Sequence, residues 1–241
     1  MKIPTLKGVI DRRMLVNFIA DREIIERILP QPFKPKLYND KAIVGICLIR
    51  LKHIRPKFLP AFIGTSSENA AHRIAVEWKD GGKIKEGVFI PRRDTSSLLN
   101  NLAGGRIFPG KHHHAKFDVK EKNGSYHIAF ESSDGNFISI DANTTGEFNS
   151  NSIFKDLESA SDFFKKGSIG YSPNGNNFDG IELHTINWDM KPLMVSKVRS
   201  SFFENEKLFP RGSIHFDNAL LMTKINHEWK SVDAKLECEC I

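Results

Sequence analysis

Three short clusters in this 241-residue chain gather side chains that can do chemistry. The first runs from Gly104 to Phe117 and contains Lys111-His112-His113-His114. On a strand alternate side chains share a face, so His112 and His114 point one way and His113 the other. Two imidazoles at that spacing can ligate a metal with a third group, handle a proton, or line a polar cavity. A strand that merely tolerates histidine accounts for them equally well. Lys111 beside them becomes a nucleophile only if burial depresses its amine pKa. The second cluster, Gly87 to Asp94, places Arg92 and Arg93 at the end of an apolar run. Either guanidinium can hold a carboxylate through paired hydrogen bonds; pairing with Asp94 or Glu86 is the plainer alternative. The third, Gly64 to Arg73, sets Glu68 and His72 ahead of an alternating segment. It reads as an acid/base pair, or as a carboxylate that closes a loop end.

Standard motifs are missing. The chain has no phosphate-binding glycine loop, no Gly-x-Ser-x-Gly elbow and no His-Glu-x-x-His, so neither a cofactor nor a metal is predicted. Cys238-Glu239-Cys240 has no second thiol pair and reads as a frayed tail. With Cys47 the count is three, which fits a reducing compartment.

Strands dominate among the elements that must position these clusters. Ala42 to Ile49 is apolar on both faces, as a central strand should be. His72 to Trp78 alternates, and short runs follow at 83–90, 115–120, 126–131 and 136–141. Lys122-Asn123-Gly124 and Ser133-Asp134-Gly135 mark turns between them. Further strands are predicted at 180–187, 193–199 and 213–224. Three helices are predicted: one after Asp21, with Ile24, Ile25, Ile28 and Leu29 inward; one capped by Asp94 or Thr95; and one over about 154–166. The Gly/Asn/Ser-rich stretch 167–177 is expected to be a long loop. The expected fold is mainly β, a β-rich α+β arrangement with an antiparallel curled or closed sheet, a barrel or cone, in a single domain over 1–241.

Phe supplies 18 of the aromatic residues against 3 Trp and 3 Tyr, which suits a dry β-rich core. The N-terminus has no apolar signal segment and no apolar run reaches membrane-spanning length, so a cytoplasmic protein without a membrane partner is expected. The net charge of +6 is spread along the chain with no nucleic-acid-binding pattern, so no nucleic-acid partner is expected either.

Many short signals together carry a family resemblance. Asp11-Arg12-Arg13-Met14-Leu15-Val16-Asn17-Phe18, Leu29-Pro30 and Ile54-Arg55-Pro56 followed by Leu59-Pro60 open it. Pro91-Arg92-Arg93-Asp94, Phe108-Pro109-Gly110, Gly170-Tyr171-Ser172 and Ser200-Ser201-Phe202-Phe203 continue it. Over nearly its whole length the chain resembles domain of unknown function 2071, a family grouped by fold with acetoacetate decarboxylase. The resemblance implies an antiparallel barrel or cone around an internal pocket. The decarboxylase signature is a Gly-Phe-Pro-Lys-Lys turn whose first lysine forms a Schiff base and whose second depresses its pKa. Here the similar stretch is Ile107-Phe108-Pro109-Gly110-Lys111, which puts Gly110 at the imine position and Lys111 at the helper position. Glycine cannot form an imine. A one-residue shift would make Lys111 the nucleophile without an adjacent lysine, leaving Lys116 to help from along the strand. Arg13 and Glu68 resemble the arginine and glutamate of that active site. The expectation is a pocket that binds a small molecule, an anionic one on the charge balance, with Arg13, Arg92, His112 and His114 as ligand contacts. The alternative is an enzyme acting on a small oxo acid or carbonyl compound, with Lys111 and Glu68 catalytic. A structural or partner-binding domain is the third reading.

Overall fold

The computed structural model describes residues 4–98 and 110–232. Thirteen strands form one continuous sheet. Its spine is β13-β1-β4-β5-β6, built from β1 (Leu6–Ala20), β4 (Lys41–Pro56), β5 (Thr65–Asp80), β6 (Lys83–Thr95) and β13 (Ile214–Val232). These long strands pair antiparallel throughout. Each outer strand of the spine then serves two partners at different points along its length. β6 pairs in parallel with β10 (Ile169–Asn174) near Phe89 and with β7 (His112–Lys122) near Arg93. β13 pairs with β12 (Lys191–Ser200) around Leu220 and with β11 (Asn177–Thr185) beyond His227. Between β7 and β12 run β8 (Ser125–Ser132) and β9 (Phe137–Thr144). The sheet therefore closes on itself by two routes, a long one through β7-β8-β9-β12 and a short one through the β10–β11 pair. Two minor strands, β2 (Lys34–Pro35) and β3 (Leu37–Tyr38), edge β5 and β4.

Alternation along the spine feeds a core on each face. In β1, Met14 and Val16 join one core and Leu15 the other; in β4, Val44, Ile46 and Leu48 oppose Ile43 and Cys47. Every residue from Ala42 to Leu48 is buried, as the apolar run predicts. The first core is closed by Ile128, Phe130, Ile138 and Ile140 of the long route. The second is closed by Ile181 of the short route and by α2 (Leu157–Lys165), whose Phe163 and Phe164 are buried. The Asp156 carboxylate accepts from the Ser159 amide at 2.8 Å and caps α2.

The expectations and the structure differ at several elements. The stretch 167–177, expected to be a loop, contains β10 and the start of β11, because its small residues pair with β6 and fit closely over it. Strand β1 was not foreseen; its charged pair Arg12-Arg13 interrupts the apolar alternation. Asp94 and Thr95, expected to cap a helix, end β6; Thr95 Oγ1 does accept from the Ser97 amide at 3.1 Å and Leu98 is helical, while 99–109 lie outside the described residues. Cys238 and Cys240 also lie outside them. Helix α1 (Arg22–Ile28) follows Asp21 as predicted, but the Asp21 side chain makes no cap; it takes a hydrogen bond from Lys41 at 2.8 Å. No helix among the described residues is long and apolar enough to cross a membrane.

Candidate functional site

A cavity of about 120 Å³ lies against the second core. Its floor is a row of cross-strand neighbours that runs Leu15–Cys47–Ala71–Arg93–His112 across β1, β4, β5, β6 and β7. All but Leu15 line the cavity. Arg13 sits two residues from Leu15 along β1, and Arg73 two residues from Ala71 along β5, so both project from the same face. A bulge at Asp11 resets the alternation of β1 so that Ile10 faces the cavity as well. Ala71 is the small residue between Cys47 and Arg93 in this row, which leaves room above it. Apolar walls come from Ile49, Leu51, Ile90, Ile181, Leu183 and Trp229.

Three arginines thus meet over Cys47. Arg13 donates from Nε to the Cys47 sulfur at 3.4 Å and lies over the Trp188 ring. Arg73 donates to Asn17 Oδ1 and stacks on Phe164, 4.8 Å from the ring centre. Arg93 donates from Nε to Ser172 Oγ at 3.2 Å. Arg13 Nη1, Arg73 Nε and Arg93 Nη2 are buried with no hydrogen-bond partner among the described residues. None of the three arginines pairs there with a carboxylate. Asp94, at the cavity margin, is held by Arg92 at 2.7 Å. Burial pushes Arg73 down to about 10, a fall deepened by the charge of Arg13, and pushes Arg93 down to about 10 as well. Such guanidiniums remain charged at neutral pH. His112 is driven down to about 4, first by burial and then by Arg93, and is neutral there; its Nδ1 lies 3.2 Å from the Gly110 carbonyl.

A smaller cavity of about 30 Å³ shares Arg13, Arg73, Val88 and Gly167 with the first. Lys36 lines it, tied to Glu86 at 2.7 Å and placed over the Phe163 ring.

Of the residues singled out from the sequence, Arg13 and His112 line the main cavity. The others lie elsewhere. Glu68 projects to the opposite face of the sheet, where it binds Arg12 at 2.6 Å and Arg50 at 2.5 Å, with Glu121 completing the network. Arg92 also takes the opposite face, held by Asp94 and by Asp134 at 2.7 Å; its neighbour Arg93 is the one turned to the cavity. Lys111 is exposed. His114 stands beside Thr95, two residues beyond His112 on the same face, and does not line the cavity. His113 takes the other face, 3.3 Å from Asp134. No cluster of three metal-ligating side chains occurs among the described residues.

Sequence reasoning passed over Arg73 and Cys47. Arg73 sits between Ala71 and Ala75 on a face that is otherwise small and apolar, and a charge in such a row is a signal of a buried polar site. Cys47 gave no signal inside its apolar run.

The model of the family domain of unknown function 2071, described as an uncharacterized conserved protein, matches residues 10–221. No curated protein matches the sequence. Solved structures are similar in fold. Acetoacetate decarboxylase from Legionella pneumophila aligns with a TM-score of 0.57 at 13% identity, covering 97% of this chain and 88% of that one. An acetoacetate decarboxylase-like enzyme from Sphingomonas wittichii RW1 gives 0.56 at 9% identity, over 95% and 93%. The enduracididine biosynthesis enzyme MppR complexed with pyruvate gives 0.60 at 8% identity, over 100% and 93%. The fold is therefore acetoacetate-decarboxylase-like.

Proposed function

This chain belongs to the domain of unknown function 2071 family, and from that premise we propose that it binds a small molecule carrying a carboxylate in the cavity between Arg13, Arg73 and Arg93. One observation carries the reading: three guanidiniums line one cavity with buried N–H groups that, among the described residues, have no partner, and none of the three pairs there with a carboxylate. Isolated buried charges are costly, and a bound anion supplies the missing partner. The apolar walls favour a ligand with a short hydrocarbon part. A cavity of about 120 Å³ is comparable with the ~150 Å³ engineered cavity that holds benzene, so a ligand of about six heavy atoms fits. Pyruvate, the ligand of the similarly folded MppR, is a small carboxylate of that size. Lys111, exposed and away from the cavity wall, gives no support to imine chemistry, and Glu68, already shared by Arg12 and Arg50, gives none to acid/base work.

The test is titration calorimetry with pyruvate and related small acids, each beside its neutral amide. Acids bind and amides do not. Arg13→Gln, Arg73→Gln and Arg93→Gln each weaken binding by about tenfold or more, as loss of a charge-assisted hydrogen bond should. Equal affinity for acid and amide, or no binding by any acid in the panel, would refute the reading.

A further inference from the structure

We propose that Cys47 is the nucleophile of this cavity, capturing small carboxylates whose carbon next to the carboxylate is electrophilic. The inference rests on the carboxylate reading above and adds to it a site of covalent chemistry.

The placement of the sulfur argues for it. Cys47 lies in the cavity floor with Ala71 as its lateral neighbour, so nothing bulky covers it from that side. Arg13 reaches the sulfur from β1 at 3.4 Å. Arg73 and Arg93 line the same cavity as the sulfur. Independent of the cysteine, Arg73 is only 6% exposed, lines the same cavity and keeps a buried Nε without a partner. A carboxylate taken by these arginines is held above the thiol, with its adjacent carbon one bond away from the anchored group. Anchoring of that kind converts an encounter between two molecules into a reaction within one complex. The reactive form of the thiol is the thiolate, and cationic surroundings are where reactive cysteines are found.

For a 2-oxo acid the step is addition. The sulfur–carbon bond forms at C2, the carbonyl π bond breaks, and the thiol proton ends on the carbonyl oxygen as a thiohemiketal. No oxidant or reductant takes part. For iodoacetate the step is displacement: the sulfur–carbon bond forms, iodide leaves, and the thiol proton passes to solvent.

Iodoacetate and iodoacetamide make the test, since they share a leaving group and differ in charge. The full-length protein is treated with each, and Cys47 labelling is followed by peptide mass mapping, with a free small thiol as reference. At Cys47 the iodoacetate-to-iodoacetamide rate ratio should exceed that of the free thiol by about tenfold or more, the effect of focusing an anion into a cationic site. Pyruvate should slow the iodoacetate reaction, and Arg93→Gln should return the ratio toward that of the free thiol. A ratio at Cys47 no higher than the free thiol's, or a Cys47 inert to both reagents, overturns the proposal. Calorimetry separates the two readings. Pyruvate binding without preferential labelling removes the nucleophile and leaves the pocket standing. No acid binding together with no preference removes both.

Discussion

At the scale of single residues the proposed carboxylate site sets binding against stability in the cavity's arginines. A buried guanidinium that lacks a carboxylate loses hydration without an equal gain inside the protein. Among the described residues Arg93 keeps only its Nε bond to Ser172, and Nη2 has no partner there. Replacing such a group with an apolar side chain of similar length relieves the cost, and exchanges of buried ions for hydrophobic residues have gained about 1–4 kcal/mol. Arg93→Met is therefore expected to raise the unfolding free energy in urea by about 1 kcal/mol or more while abolishing carboxylate binding. A variant both less stable and still able to bind would show that Arg93 serves the fold. Arg92, one residue away, should behave oppositely. It holds Asp94 and Asp134 together with Ser132 Oγ at 2.8 Å, so Arg92→Met leaves buried Asp94 without its cation and should destabilise by about 3 kcal/mol. One peptide step reverses the sign because alternation sends the two side chains to opposite faces.

At the scale of elements, the start of β7 shows why this chain departs from the imine turn that its sequence resembles. Gly110 has φ of +84°, and a Cβ there would meet Ser172 Cβ at 2.6 Å. Both features select glycine. Gly110→Ala should cost about 2 kcal/mol or more in urea unfolding, and Gly110→Lys should not create a lysine that borohydride traps with pyruvate. A trapped adduct at position 110 would mean that the turn re-forms around the longer side chain. Gly45 imposes a similar limit deeper in the sheet, where an added Cβ would lie 2.4 Å from the Val16 carbonyl oxygen. How much was legible in the sequence divides along the same lines. The first half of β4 was readable because Ala42 to Ile49 is apolar on both faces, and α2 because Phe163 and Phe164 mark its inner face, whereas the Asp156 cap that starts it was not read. β10 was not, since pairing with β6 overrides the loop character of Gly170, Ser172 and Pro173. The face of each arginine could not be read either, because a one-residue bulge such as that at Asp11 reverses every later assignment on its strand. Arg13 and His112, singled out by type and resemblance, line the cavity, and Arg93 was one of two arginines named together; the choice of Arg93 over Arg92, and the places of Arg73 and Cys47, follow only from the register of five strands.

At the scale of the whole molecule, a sheet with a core on both faces encloses polar groups as well as apolar ones, and this fixes how the protein responds to acid. His72 is completely buried, has no hydrogen-bond partner among the described residues, and stacks on Phe202 with ring centres 4.4 Å apart. Burial, aided by the charge of Arg92, holds it down at about 3. His112 and His227 are held at about 4, again chiefly by burial. In the unfolded chain each imidazole accepts a proton near pH 6.5. Between that value and its lowered native value, each histidine is protonated in the unfolded state and neutral in the folded one. The unfolded state then binds more protons, so stability is flat above about pH 6.5 and falls as the pH drops toward 4. Each such group contributes up to about 1.4 kcal/mol per pH unit across that window. Asp94 works the other way, since burial raises it above the usual carboxylate range and its earlier protonation partly offsets the loss. His72→Phe isolates one contribution: phenylalanine fits the stack with Phe202 and Phe203 and does not titrate. Urea unfolding at pH 7 and pH 5 should show the parent losing about 1–2 kcal/mol more than the variant on acidification. An identical pH dependence in the two proteins would mean that His72 is protonated in the folded state, with Asp94, 3.9 Å from its Nδ1, as the partner that keeps it so.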